Sequence, residues 1–304
     1  MMSDARGGGA TPGALHIVAT PIGNLADLSP RAATVLREVR AIITEDSRVA
    51  RVLLSSIDVT SELISLPGFD EVERTLPIIE RLQRGDALAL ISDAGTPLIS
   101  DPGQHLIRAA IAAGIRVIPL PGASAVLAAI VVSGVAGARW SFEGFLPRSG
   151  TDRRRAIGGI AADERATVIY EAGGRVLETL RDLASACGPA RIVALCRELT
   201  KMHEEVRRGS LEEVAAAVAR GEVDGRGEFV IVLGETSDVV VSAEAGGAFV
   251  AALAAVEERI AAGASRSDAI RSIATEWGLE RRRLWAAAHA DATEGGDPLG
   301  RADD

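Results

Sequence analysis

The stretch L-I-S-D-A-G-T-P-L-I-S-D-P-G-Q-H-L-I-R-A-A-I-A-A-G-I-R-V-I-P-L-P-G-A-S-A covers residues 90–125 and decides the fold. It holds two loops of one design. Each follows a β-type apolar run, 87–91 for the first and 115–118 for the second, and each precedes a run able to be a helix. A strand that ends in a Gly/Pro turn and feeds a helix sets free backbone N–H groups at the carboxyl end of a sheet, where α/β proteins bind small ligands. Gly95, Gly103 and Gly122 allow positive φ or close backbone approach. Pro97, Pro102, Pro119 and Pro121 stiffen the connections. One such turn is an ordinary βα connection. Two of them, one βαβ unit apart and both carrying Ser, Thr or Asp, point to a ligand site.

Working outward, the same alternation recurs. Residues 15–19 form a first strand that runs into T-P-I-G-N-L (20–25). Ser29-Pro30 is an N-cap followed by Pro at N1, opening a helix to about Arg37. A strand at 41–43 closes in T-E-D-S-R (44–48), a helix covers 49–54, and a strand covers 63–66. Val72, Leu76, Ile79 and Leu82 give 71–82 helical spacing, and Gly85 ends that helix. After the helix at 124–132, a strand at 140–144 ends the first half and 146–150 reads as a linker. Strands at 167–170, 192–196 and 228–233 alternate with helices at 175–186 and 211–219. From Gly234 to about His289 the chain reads as helical, broken at 263–265 and 277–279. The expected organisation is a disordered tail at 1–13, an α/β domain at 14–146, a second at 147–236, a helical region at 245–290 and a frayed tail at 291–304. Alternating strands and helices imply a mainly parallel first sheet.

Composition sets limits. The 304 residues are 47% hydrophobic and 3% aromatic, so the core must be built from Ala, Val, Leu and Ile. No apolar run reaches a membrane span without Gly or charge, and no secretory pattern opens the chain; a cytoplasmic protein is expected. Cys187 and Cys196 have no metal spacing and are expected as free thiols. The net charge of −9 argues against a generic polyanion binder but leaves room for a local basic face. Of 33 basic residues only Lys201 is lysine. A lysine kept against such an arginine bias is a candidate for a role that a planar guanidinium cannot fill, and chance survival is the alternative.

Seven stretches then act together: V-A-T-P-I-G-N-L-A-D-L-S-P-R-A (18–32), T-E-D-S-R (44–48), I-S-D-A-G-T-P-L-I-S-D-P-G (91–103), P-L-P-G-A-S-A (119–125), F-E-G-F-L-P-R (142–148), R-E-L-T-K (197–201) and G-E-F-V-I-V (227–232). In order and spacing they resemble the bacterial small-subunit (16S) ribosomal RNA cytidine 2′-O-ribose methyltransferases of the tetrapyrrole-methylase superfamily. The resemblance runs from about Leu15 to Glu235 and is weaker in the C-terminal helices. It implies a two-domain α/β fold with a mainly parallel N-terminal sheet, a mixed second sheet and a C-terminal helical appendage. It implies S-adenosylmethionine as methyl donor, held in the cleft between domains. It also implies a homodimer, and small-subunit ribosomal RNA or the assembled small subunit as partner. The cofactor contacts implied are Pro21, Gly23 and Asn24; Asp93, Gly95, Thr96, Pro97, Ile99 and Ser100; Gly122, Ser124 and Ala125; and Tyr170, Leu199, Glu228 and Phe229. Three departures stand out. Residues 66–71 lack the family's His and Asn, Gly174 replaces a His, and 265–268 replaces the usual lysines with Ser-Arg-Ser-Asp.

Methyl transfer to a ribose hydroxyl is an in-line displacement that needs alignment and a proton acceptor. The polar groups at strand ends are Glu45, Asp46, Arg48, Asp93, Asp101, Arg197, Glu198 and Lys201. Asp46, Arg48, Glu198 and Lys201 are the expected catalytic group. Glu45 and Asp46 could instead cap a helix, and Arg197–Glu198 could be a structural ion pair. Lys201 could polarise the hydroxyl or hold a phosphate. Arg153, Arg154 and Arg155, with Arg281, Arg282 and Arg283, are expected RNA contacts through phosphate, or solvated faces. No metal site is expected, and the four histidines receive no role. A tetrapyrrole C-methyltransferase of the same superfamily and a non-catalytic ribosome-assembly binding protein are the rival readings.

Overall fold

The computed structural model describes residues 9–236, 243–277, 279 and 281–290, with the backbone alone at 243–250, 282, 283, 286, 289 and 290. Most of the expected N-terminal tail and all of the C-terminal one lie outside the described residues. Two compact units divide the chain near residue 238, and each is described by itself.

The first unit begins with strand β1 (Ala14–Val18). Helix α1 (Pro30–Glu38) starts as its sequence dictates: the Ser29 hydroxyl accepts from the Ala32 N–H and Pro30 occupies N1. There follow β2 (Ala41–Thr44), α2 (Ser47–Ser56), β3 (Glu62–Ser65), α3 (Glu71–Gln83), β4 (Leu88–Ile91), α4 (Gln104–Ala112), β5 (Arg116–Leu120) and α5 (Ala125–Ser133). The five strands form a parallel sheet in the order β3-β2-β4-β1-β5. Every residue of β2 and β4 is buried, as the inner strands of a sheet covered on both faces require. Helices α1 and α2 cover one face through Val35, Leu36 and Leu54. Helices α3 and α4 cover the other through Ile78, Ile79, Leu82 and Leu106. Each such side chain, fully buried, contributes about 1.5–3 kcal/mol.

The second sheet is mixed. Its elements are β6 (Trp140–Phe145), α6 (Gly150–Ala162), β7 (Ala166–Ala172), α7 (Val176–Cys187), β8 (Ile192–Arg197), β9 (Glu205–Ser210), α8 (Leu211–Ala219) and β10 (Glu228–Leu233). The order is β6-β7-β10-β8-β9, with β6–β7 parallel and the rest antiparallel. The two-residue period of β10 divides its side chains: Phe229, Ile231 and Leu233 join a core with α6, α7 and α8, while Val230 and Val232 join one with α5. Helix α5 therefore follows the parallel sheet in sequence but packs on the mixed one. The two sheets meet there.

Four expectations are corrected. The strand at 140–144, read as the end of the first half, pairs with β7 in the second sheet, because the linker before α6 does not separate it from its partner. Strand β9 was not expected: Glu205, Arg207 and Arg208 hide it in a charge run. It is an edge strand, where such charges block further pairing. Pro119 lies within β5 and not in the turn, tolerated because β5 is an edge. On α3 the buried face is Thr75, Ile78, Ile79 and Leu82, whereas Val72 and Leu76 are exposed, since their stripe is rotated away from the sheet.

The second unit holds α9 (Ala243–Ala261), α10 (Arg266–Trp277) and α11 (Arg281–Ala290). Ala252, Val256, Ile270, Ile273, Leu284 and Ala288 form its core. Small Ala side chains let the three helices approach closely. Among the described residues no helix is long and apolar enough to cross a membrane.

Candidate active site

A cavity of about 340 Å³ lies where the carboxyl ends of the parallel sheet face β7, β8 and β10. That is the place at which open α/β sheets bind ligands, and the volume falls within the range of small-molecule sites. Its floor is apolar: Ile22, Cys196, Leu199, Phe229 and Val230.

The first wall is the loop after β4. It repeats a pattern, Ile91-Ser92-Asp93-Ala94-Gly95 and Ile99-Ser100-Asp101-Pro102-Gly103, and both aspartates reach the cavity. Both glycines have positive φ, 80° and 121°. Leu98 and Ser100 also adopt positive φ, 75° and 72°, which non-glycine residues hold only when their surroundings fix them. Those surroundings are visible. Thr20 and Gly95 exchange backbone hydrogen bonds, and the Thr96 hydroxyl donates to Ala123 O at 3.0 Å, tying this loop to the one after β5. A Cβ on Gly144 of β6 would lie 3.0 Å from Ser100 Oγ, so the loop is held against the second sheet as well.

The second wall is the turn after β8, with the start of β10. Lys201 Nζ donates to Glu198 Oε1 at 2.9 Å and to Glu228 Oε2 at 2.8 Å, and Glu198 Oε1 also accepts from the Glu228 N–H. Glu198 and Thr200 have positive φ, 49° and 66°. Tyr170 stands between the walls, with Phe142 and Phe145 packed on its ring at 4.9 and 5.4 Å.

The two walls differ in charge. Burial pushes the Asp101 carboxyl up to about 6, helped by the negative charges of Glu45 and Asp93; a hydrogen bond from Ser92 partly offsets this. Burial likewise raises Asp93 and Glu45. Burial also pushes the Tyr170 hydroxyl up to about 12, with Asp101 adding to the shift. On the second wall burial pulls Lys201 down, but the bonds to Glu228 and Glu198 outweigh it and the net shift is upward. For Glu198, burial is outweighed by the Glu228 N–H and by Lys201, so its carboxyl is held below the ordinary range.

Of the residues singled out by sequence, the cavity is lined by Asp93, Gly95, Thr96, Ile99, Ser100, Ser124, Ala125, Tyr170, Leu199, Lys201, Glu228 and Phe229. Others do not line it. Pro21 and Pro97 shape the turns behind it. Asn24 caps a short helical turn by accepting from the Ala26 N–H. Gly23 backs the Lys201 turn: a Cβ there would overlap the Lys201 side chain. Gly122 packs on the end of β1, where a Cβ would stand 3.0 Å from that of Ala19. Glu198 reaches the site through its bonds to Lys201 and Glu228. Asp46 and Arg48 are outside the lining. Asp46 caps α2 through the Arg48 N–H and binds the Arg48 guanidinium, with an Nη2–Oδ2 distance of 2.6 Å. The guanidinium holds its carboxyl down at about 2, so it is a poor proton acceptor.

Arg153 corrects another expectation. It is buried, and its guanidinium donates to Asp182, Thr179 and the Pro147 carbonyl, so it braces α6 against α7 and is closed to phosphate. Arg154 and Arg155 are exposed, as is Arg281. The side chains of Arg282 and Arg283 lie outside the described residues. Asp101 was named only among the strand-end polar groups; the repeated I-S-D-x-G marks it as the counterpart of Asp93. Ile22, Phe145 and Val230 lie within the quoted motifs but, as apolar residues, did not stand out as contacts, and Cys196 lies outside every motif and reads as core. Among the described residues no His, Cys, Asp and Glu cluster could hold a metal.

The family described as Tetrapyrrole (Corrin/Porphyrin) Methylases matches residues 14–215. A Xylella fastidiosa (strain Temecula1) protein named Ribosomal RNA small subunit methyltransferase I is 50% identical over 229 residues, 75% of this chain and 84% of its own. A Mycobacterium tuberculosis protein of the same name is 40% identical over 291 residues, 94% of this chain and 98% of its own. The fold is shared with a solved cobalamin biosynthetic enzyme, cobalt precorrin-4 methyltransferase, at TM-score 0.57 and 14% identity over 74% of this chain and 96% of that one. It is also shared with uroporphyrin III C-methyl transferase from Thermus thermophilus, at TM-score 0.52 and 17% identity over 73% and 97%. With the family matched over most of its length, and relatives of one name at 40–50% identity, this chain belongs to the tetrapyrrole methylase family and, within it, to the group of proteins named ribosomal RNA small subunit methyltransferase I.

Proposed function

We propose that this protein transfers a methyl group from S-adenosylmethionine to small-subunit ribosomal RNA, at the 2′-hydroxyl of a cytidine ribose. One observation carries the reading: a cavity at the carboxyl end of the parallel sheet, with two carboxylates that have no cationic partner among the described residues on one wall and Lys201 on the other, in a chain whose relatives bear the name ribosomal RNA small subunit methyltransferase I. The residues present fit the cofactor. The apolar floor suits a nucleoside and a thioether chain. The loops at 93–101 and 122–125 line the cavity largely with small residues, Ala94, Gly95, Ser100, Ser124 and Ala125, and Glu45, Asp93 and Asp101 supply a negative potential that favours a cation. When bound, the cofactor supplies an electrophilic methyl group on a sulfonium.

The chain's own residues do the rest. The loops at 93–101 and 124–125, with Tyr170, Leu199, Glu228 and Phe229, hold and orient the donor. Lys201, positioned by Glu198 and Glu228, donates to the acceptor ribose or its neighbouring phosphate. Arg154, Arg155 and Arg281 contact phosphate without reading sequence.

A homodimer is part of this reading. Leu127 and Val131 on α5 are 55% and 82% exposed, an apolar face that a second copy would cover. Sedimentation at micromolar concentration is expected to give a dimer; a monomer overturns that element alone.

The test of the activity is labelled S-adenosylmethionine with purified unmethylated small ribosomal subunits, followed by mapping of the modified nucleotide. Label on one cytidine ribose is expected. Label on a base, or none on RNA, overturns the reading. Transfer to a tetrapyrrole instead would favour the C-methyltransferase alternative.

A further inference from the structure

Methyl transfer to a hydroxyl needs an acceptor for the hydroxyl proton, and the site offers several carboxylates. Most are already committed. Asp46 lies outside the cavity lining and is bound by Arg48. Glu171 is buried, with Oε1 accepting from the Ala172 N–H and Oε2 from Thr179. Glu198 and Glu228 share Lys201. Two carboxylates on the lining have no cationic partner among the described residues, Asp93 and Asp101. Asp93 accepts from the Asp46 N–H at the head of α2. Asp101 lies deeper, facing Tyr170, on the segment fixed by the positive φ of Leu98 and Ser100 and by the contact of Ser100 with Gly144.

Resting on the function proposed above, we infer that Asp101 is the general base that takes the proton from the attacking ribose hydroxyl. The hydroxyl oxygen forms its bond to the methyl carbon while the carbon–sulfur bond breaks with its electron pair remaining on sulfur. The O–H proton passes to the Asp101 carboxylate, which then releases it to water. The products are a methyl ether and a neutral thioether, so charge and atoms balance with no further reactant.

The surroundings suit the role. Glu45 at the end of β2, Asp93 and Ser92 at the end of β4, and Tyr170 on β7 all act on Asp101, and Glu171, Glu228 and Lys201 complete the lining opposite. Burial and like charge place its proton affinity near neutrality, at about 6. A base is most effective when its pKa lies near the working pH. The carboxylate is then ionised at pH 7 yet still basic enough to accept a proton in flight.

The experiment compares wild type, Asp101→Asn, Asp101→Glu and Glu45→Gln with labelled S-adenosylmethionine on unmethylated small subunits across pH 5–9. Asp101→Asn is expected to lose roughly 10²–10⁴-fold in kcat, with calorimetric affinity for S-adenosylmethionine within a few-fold. The wild-type rate should rise with pH through about 6. That limb should be absent in Asp101→Asn, present in Asp101→Glu, and moved to lower pH in Glu45→Gln, where one like charge is gone. Independently of activity, carboxyl 13C NMR of the free protein should show a carboxyl titrating near 6 that disappears in Asp101→Asn. A rate within threefold of wild type in Asp101→Asn, survival of its acid limb, or equal loss in Asp101→Asn and Asp101→Glu overturns the proposal. Failure of the wild type itself to methylate RNA removes the underlying reading, and the proposal with it.

Discussion

The mixed-sheet half of the first unit and the cavity wall at the carboxyl end of the parallel sheet treat charge in opposite ways. In the mixed-sheet half, charges meet partners: Arg153 with Asp182, Arg197 with Asp224, and Lys201 with Glu198 and Glu228. At the carboxyl end of the parallel sheet, Glu45, Asp93 and Asp101 have no cationic partner among the described residues, and all three carboxyls are raised. Paired charges fix geometry. Unpaired ones store proton affinity and attract cations. The cavity lies between the two kinds, so a positioned donor faces a poised acceptor.

The strongest test of this contrast is Arg153→Ala. It removes the buried donor to the Thr179 hydroxyl and to the Pro147 carbonyl, which keep only Glu171 and a 3.4 Å bond from Arg175, and it leaves Asp182 half-exposed without its partner. A loss of about 3 kcal/mol is expected, below the full figure for a buried pair because Asp182 can turn to water. Urea denaturation measures it; a change under 1 kcal/mol would mean that the pairing is incidental to the fold.

Next in size is Lys201→Ala, expected to lose on the order of a hundredfold in methyl transfer, with cofactor affinity within a few-fold. Lys201→Arg should lose most of the activity too, since a planar guanidinium cannot sit between Glu198 and Glu228 in the same way. Wild-type turnover in Lys201→Ala would reduce the lysine to a surviving codon.

A smaller effect has the opposite sign. Asp101 has a folded-state pKa above its ordinary value, so its ionised form opposes folding. That opposition is absent below about pH 4, grows as pH rises towards 6 and is complete above it. Asp101→Asn should therefore stabilise the protein at pH 7.5 by on the order of 1 kcal/mol, discounted for partial exposure. The gain should vanish at pH 4. Thermal melts at the two pH values decide it, and an unchanged Tm at pH 7.5 would show that this wall is not electrostatically loaded.

The smallest effect is expected from Arg154→Ala with Arg155→Ala. Stability should move by less than about 0.5 kcal/mol. Affinity for small subunits should fall a few-fold, with a shallower salt dependence. An unaltered salt slope would show a solvated face and nothing more.

Much of this was legible in the chain. Ser29-Pro30 fixed the start of α1, the Gly85 C-cap the end of α3, and the alternation of apolar runs the parallel sheet, because these are local rules of period and capping. Strand β9 was not legible, since an edge strand needs no apolar run. Nor was the burial of Arg153, which looks like its neighbours in a run of three arginines and differs only in which side of α6 it occupies.

The sequence by itself determined which strands end in Gly/Pro turns at one end of the sheet, through Gly95, Gly103 and Gly122, and that Lys201 stands apart. Only the tertiary structure decided which carboxylates are free. Asp46, Glu198 and Asp101 read alike as acids at strand ends. One is clamped by Arg48 two residues away, one is shared with Lys201 and the Glu228 N–H, and one is left beside Glu45 and Asp93, residues 56 and 8 positions earlier in the chain. A carboxyl group's proton affinity follows from the charges and solvent around it, and those are assembled only when distant strands pack.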